Sequence, residues 1–139
     1  MINNFFEKLP YFISTIIFSY SLWTSNLIYM LIFLTNTTIF ALTSVLKRMI
    51  KQERPNKRSL YGMPSGHCTY FFSFSTLLYY LSDQYIFFAS LALSIIVAYQ
   101  RIISQNHTKK QVIVGILFGY STTFLIYKFI ILYLINVKL

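Results

Sequence analysis

Two histidines and a group of cations stand at spacings suited to phosphate chemistry. Lys47 is followed, after six residues, by Arg54-Pro55, and Pro64-Ser65-Gly66-His67 comes next. Arg101 precedes His107 by six positions, and Gln111 lies four residues beyond it. Nine of the twelve Lys and Arg residues fall in two short stretches. The first holds Lys47, Arg48, Lys51, Arg54, Lys57 and Arg58, and the second Arg101, Lys109 and Lys110. Charge alone leaves three readings open. Basic loops set the topology of membrane helices. They also attract anionic lipid, at about 1 kcal/mol per basic residue near the surface. The sharper reading is a pocket where guanidinium forks grip phosphate oxygens bidentately.

The elements that must hold these residues are hydrophobic. No charge lies in the 38 residues between Lys8 and Lys47, where a span needs roughly 20. Two helices fit there, with a polar break at Thr24-Ser25-Asn26. Further uncharged runs extend from Gln84 to Gln100 and from Gln111 to Tyr127. The pattern predicts helices near 9–23, 26–46, 67–82, 85–101 and 110–135, the first short enough to be interfacial. Lys128 would snorkel from the last. Helix alternation then places both basic connectors, and both histidines, at one face of the bilayer.

The 139 residues allow one domain, 1–139. Hydrophobic residues make up 56% and charged residues 11%, against about 25% charged in soluble domains. That excludes a soluble enzyme, and the aromatic and aliphatic content excludes a disordered chain. Cys68 is the single cysteine, so there is no disulfide scaffold or zinc ribbon. The expected fold is all-α, a polytopic membrane bundle of about five transmembrane helices, four to six at the limits. Its N-terminus lacks a cleavage-site pattern and is expected to stay attached.

The three motif pieces, Lys47 to Pro55, Pro64 to His67 and Arg101 to Gln111, resemble the signature of the type-2 phosphatidic acid phosphatase superfamily. That pattern reads K-x6-R-P, P-S-G-H and S-R-x5-H-x3-D, and the match covers residues 47–111. Gln100 stands where the family has Ser, and Gln111 where it has Asp. Tyr61-Gly62-Met63-Pro64-Ser65 and His107-Thr108-Lys109-Lys110-Gln111 are similar to the dolichyl-diphosphate phosphatase branch, although Gly66 follows the general pattern. The resemblance implies a metal-independent hydrolase without cofactors. Its substrate would be a polyisoprenyl diphosphate or another lipid phosphate, and its site would face the endoplasmic reticulum lumen or periplasm. The positive-inside rule taken alone argues for the cytosolic side.

Phosphoryl transfer is mostly positioning and charge stabilisation. Within the resemblance, Lys47, Arg54 and Arg101 would hold the three equatorial oxygens. Ser65 would add a hydroxyl, and Gly66 would admit phosphate to the free N–H groups of a helix start. His107 would be the nucleophile that forms a phosphohistidine, and His67 the general acid and then base. Gln111 would accept from His107 Nδ1 and leave Nε2 free to attack. Glu53 is read as a salt-bridge partner or a solvated charge.

There is no P-loop or Rossmann fingerprint, and nucleic-acid binding is not expected. Tyr70, Phe71, Phe72 and Phe74 are first read as packing, with a lipid-tail groove as the alternative. Asn106-His107-Thr108 is a glycosylation sequon, but a glycan there would block the nucleophile, so none is expected. The rival functions are a broad lipid phosphatase, a catalytically inactive lipid binder and a small channel.

Overall fold

The computed structural model describes residues 2–131 and residue 133. Five α-helices follow one another: α1 Ile2–Thr24, α2 Leu27–Ile50, α3 Gly66–Leu81, α4 Gln84–Ile103 and α5 Lys109–Ile126. A π-helical turn, Tyr127–Ile131, continues α5. The expected all-α membrane bundle is therefore the fold. The tail of the fifth predicted helix, residues 132 and 134–135, lies outside the described residues.

Among the described residues three elements are long and apolar enough to cross a membrane: Leu27–Ile50, Gln84–Ile103 and Lys109–Phe129. α3 has only 16 residues, about 24 Å against a hydrocarbon core of about 30 Å. It is instead the hub, packed on α5, α4 and α2, with a lighter contact to α1. α1 starts seven residues earlier than its apolar run suggests and carries Glu7, Lys8 and Pro10 inside the helix.

Helix ends follow local chemistry. Asn26 caps α2 by accepting from Ile28 N at 2.9 Å, and Asp83 caps α4 through Tyr85 N at 2.7 Å. Lys51 ends α2 in the left-handed conformation, φ 47°, with its amide on Lys47 O. Thr108 and Gln111 form a capping box at the start of α5.

Lipid tails are as apolar as leucine, so close fit and hydrogen bonds hold such helices together. α3 shows both. Its Phe71 and Leu77 are fully buried, while Ser73 accepts from Thr123 at 2.8 Å and Ser75 bonds Ser90 and Ser94 at 3.0 Å each. Gly115 and Gly119 let α5 approach the α3 backbone. A Cβ on Gly119 would stand 2.5 Å from Thr69 O, and one on Gly115 2.7 Å from Ser65 O. Large apolar side chains such as Phe12, Trp23, Tyr85, Phe88 and Leu117 cover the outside, as a bilayer-facing surface requires.

Candidate active site

Both connectors meet at one end of the bundle, as helix alternation predicted. Asn56 Nδ2 of the first donates to Asn106 Oδ1 of the second at 3.1 Å. Asn106 Nδ2 donates to Ser104 Oγ at 2.7 Å, and this buried, doubly bonded amide leaves no room for a glycan in the folded chain.

Lys47 sits in the last turn of α2, and its ammonium lies 3.1 Å from where a Cβ on Gly66 would stand. Any larger residue at Gly66 would press on that cation. Ser65 precedes α3 and is wholly buried, yet its side chain does not cap the helix. The first-turn N–H groups of Gly66 and His67 therefore have no side-chain cap, the usual arrangement for binding an anion. Arg101 lies in the last turn of α4 with 1% of its surface exposed. Among the described residues, Arg54 Nε, Arg101 Nε, Arg101 Nη1 and Ser65 Oγ are buried without a hydrogen-bond partner, the Cys68 thiol being the neighbour of Ser65. Buried polar groups are nearly always bonded, so a set of unpartnered donors around one spot suits an oxyanion.

His107 lies among them. Its amide donates to Arg101 O at 3.1 Å, which ties the connector back onto α4. Its Nδ1 lies 2.9 Å from Gly62 O. A carbonyl only accepts, so Nδ1 carries the proton and Nε2 of the neutral ring keeps its lone pair. Burial, then the charges of Arg54, Lys47 and Arg101, push the His107 pKa down to about 3. The ring is thus an uncharged nucleophile-type nitrogen in a cationic cage. Burial likewise lowers Arg54 from its usual value, and the charge of Glu7 partly restores it.

The expected contact between Gln111 and His107 is not made. Gln111 Oε1 accepts from Thr108 N at 3.1 Å, because the first turn of α5 has free amides to satisfy. Its Nε2 donates to Gln52 Oε1 at 3.0 Å and Glu53 O at 2.9 Å. Gln52 O in turn accepts from Gly62 N at 2.7 Å, and Gln111 O from Ser65 N at 3.1 Å. Gln111 is therefore a clasp that fixes the first connector, and the Gly62 carbonyl takes the orienting place assigned to it. The Glu53 side chain is exposed, and its contribution here is a backbone carbonyl.

His67 is the second residue of α3 and partly buried, with Nε2 3.3 Å from Glu7 O. Sequence reasoning missed Glu7, Gln52 and Gly62. All three act through backbone carbonyls, which leave no side-chain signal, Gln52 also through its Oε1, and Gly62 was visible only inside the Tyr61-to-Ser65 motif. Among the described residues no group of three or more His, Cys, Asp or Glu gathers as metal ligands would.

The charges of Lys47 and Arg101 also reach His67, so both histidines stand near the same two cations. The aromatic run does not act as a unit. Tyr70 faces α1 and α2, Phe71 is core, and Phe72 and Phe74 line separate cavities.

Dolichyldiphosphatase 1 of Dictyostelium discoideum is 38% identical over 101 residues, covering 60% of this chain. The alignment covers 44% of that protein, so the chain spans less than half the length of this relative. No solved structure matches. A family model for the PAP2 superfamily matches residues 23–132, which include Lys47, Arg54, Ser65, His67, Arg101 and His107, and the chain belongs to that superfamily.

Proposed function

We propose that the protein is a membrane lipid phosphatase that hydrolyses a polyisoprenyl, dolichyl-type diphosphate to the monophosphate. The observation that carries this reading is the pairing of His107, with Nε2 free and the ring neutral, with the unpartnered donors of Arg54, Arg101 and Ser65. The likeness to a dolichyldiphosphatase supports the substrate class.

In the first step Nε2 of His107 attacks the terminal phosphorus and the bond to the lipid monophosphate oxygen breaks. Lys47, Arg54, Arg101 and the first amides of α3 take up the charge on the equatorial oxygens. His67 passes a proton to the departing oxygen, the negative diphosphate having raised its proton affinity. Water then attacks the phosphohistidine, His67 takes the water proton, and inorganic phosphate leaves with His107 restored.

The test is phosphate release from a polyprenyl diphosphate in detergent, with EDTA present, for wild type and His107→Ala. Release that survives EDTA and is lost in the variant supports the reading. Lipid binding without release by wild type would turn it into an inactive binder.

A further inference from the structure

We infer that the groove between α1, α2 and α3 holds the first part of the substrate's lipid tail, so that α1 takes part in tail selection. This rests on the phosphatase reading above and names where the apolar portion of that substrate lies.

The groove has a volume of about 310 Å³ and is walled by Pro10, Tyr11 and Phe18 from α1, Phe33 and Phe40 from α2, and Tyr70 from α3. It borders the proposed phosphate end of the site at the Phe40 ring. Phe40 stands 3.5 Å from where a Cβ on Gly66 would lie, the same point that the Lys47 ammonium approaches at 3.1 Å. Tyr70 is one helical turn after Gly66, and Pro10 is three residues after Glu7, whose carbonyl meets His67. A phosphate held by Lys47 and the α3 N-terminus would therefore leave its alkyl substituent beside the Phe40 ring. Most hydroxyls of the wall are already bonded: Ser14 Oγ and Tyr70 Oη are 2.7 Å apart, and Thr15 and Thr37 donate to the carbonyls of Tyr11 and Phe33 in their own helices, which lowers the cost of seating a hydrocarbon there.

A larger cavity of about 490 Å³ fits the tail less well. It begins at Phe72, six residues or about 9 Å into α3 from Gly66, and extends to Tyr79 and Tyr80 at the far end of that helix, with Phe87 of α4 and Tyr120 of α5. Tyr79 lies 13 residues into α3 from Gly66, about 20 Å along its axis.

From Phe40 to Phe33 the groove runs about 10 Å. The hydrocarbon core is about 30 Å thick, so a long tail would leave the groove and continue in lipid. Selection should then read the headgroup-proximal part of the tail and level off for longer chains. The α1 wall from Pro10 to Phe18 lies before residue 23, where the family match begins, so tail choice would rest on a helix outside the matched segment.

The experiment is photocrosslinking with an isoprenyl diphosphate carrying a diazirine on its second isoprene unit, followed by peptide mapping. Labels concentrated on Tyr11, Phe33 or Thr37 are expected. Labels on Tyr79, Phe87 or Tyr120, or labels scattered over the lipid-facing surface, overturn the inference whether or not the protein turns substrate over. Thr37→Trp and Thr15→Trp then fill the groove from opposite walls. Each should raise KM for a long polyprenyl diphosphate about tenfold, with kcat and KM for a one-unit isoprenyl diphosphate within twofold of wild type. Equal losses on both substrates, or none on either, overturn it. Failure of wild type to release phosphate from any substrate would instead strike at the phosphatase reading and leave the labelling result to decide the groove.

Discussion

His107 Nδ1 is held at 2.9 Å by the carbonyl oxygen of Gly62, a neutral acceptor from the opposite connector. A carboxylate there would orient the ring and also neutralise the imidazolium. The carbonyl only orients it, and the compensating interactions must come from the bound phosphate itself.

The first prediction concerns the intermediate. With Nδ1 occupied by Gly62, phosphate can join only Nε2. Rapid quenching during turnover should trap phosphohistidine on His107, and NMR or fragmentation of the labelled peptide should assign it to Nε2. His107→Ala should lower the rate on the order of 10³-fold or more. An Nδ1-phosphorylated product would mean that the Gly62 bond breaks before chemistry.

Gly62 itself should resist substitution. A Cβ there would stand 2.5 Å from Gln111 Nε2 and 2.9 Å from Gln52 O, so Gly62→Ala must push the clasp apart. Losing one or two buried hydrogen bonds corresponds to about 1–3 kcal/mol. The expected result is a drop in kcat of about tenfold to a hundredfold with KM little changed, read by steady-state kinetics.

Gln111→Asp, which restores the residue of the family pattern, should lower activity and stability. The shorter carboxylate has no donor for Gln52 Oε1 or Glu53 O, and both bonds are present now. A loss of about 1–3 kcal/mol is expected by thermal unfolding in detergent. Higher activity in this variant would show that Gln111 acts on His107 directly.

The pH response of His107 has a definite sign. Its pKa is pushed down to about 3, below the unfolded value of about 6.5. The neutral ring therefore favours the folded state fully above that unfolded value, and this contribution is lost as pH falls through the window toward 3. In a His67→Asn background, ¹⁵N shifts should report a neutral His107 ring from pH 8 to 5. The Tm gap between wild type and His107→Gln should narrow between pH 7 and 4.

Arg101→Met should separate function from stability. The guanidinium is 1% exposed, with Nε and Nη1 unpartnered among the described residues. Replacing a poorly paired buried charge by an apolar side chain often stabilises by about 1–4 kcal/mol. Phosphate release should fall at least a hundredfold while Tm rises. Unchanged release would remove Arg101 from the proposed phosphate contacts.

Much of this was legible in the residues. The uncharged runs located five helices, and helix alternation brought the connectors together because two helices, α3 and α4, lie between them and return the chain to the same end. The helix starting at Ile2 was harder to see, since Glu7 and Lys8 bounded the uncharged run while their backbone continues as helix. α2 overran its apolar stretch by four residues because cations favour a helix C-terminus. Gln111 was misread because the spacing His107 to Gln111 permits a contact without showing that the capping box takes the amide oxygen first. Tyr70 to Phe74 looked like one patch in sequence, but successive helical residues turn by about 100° and fan out onto different neighbours.

The contacts at Gly115 and Gly119 have a mechanical consequence. They press α5 against the α3 backbone, and the Ser65-to-Gln111 backbone bond adds a rivet at the same seam. The start of α3 and the connector that carries His107 thus ride on one stiff block that cannot be prised open without breaking that bond. α1 stands outside that block: it packs chiefly along α2, and among the described residues it reaches α3 through ties such as the His67 contact with Glu7 O and the Ser14–Tyr70 pair.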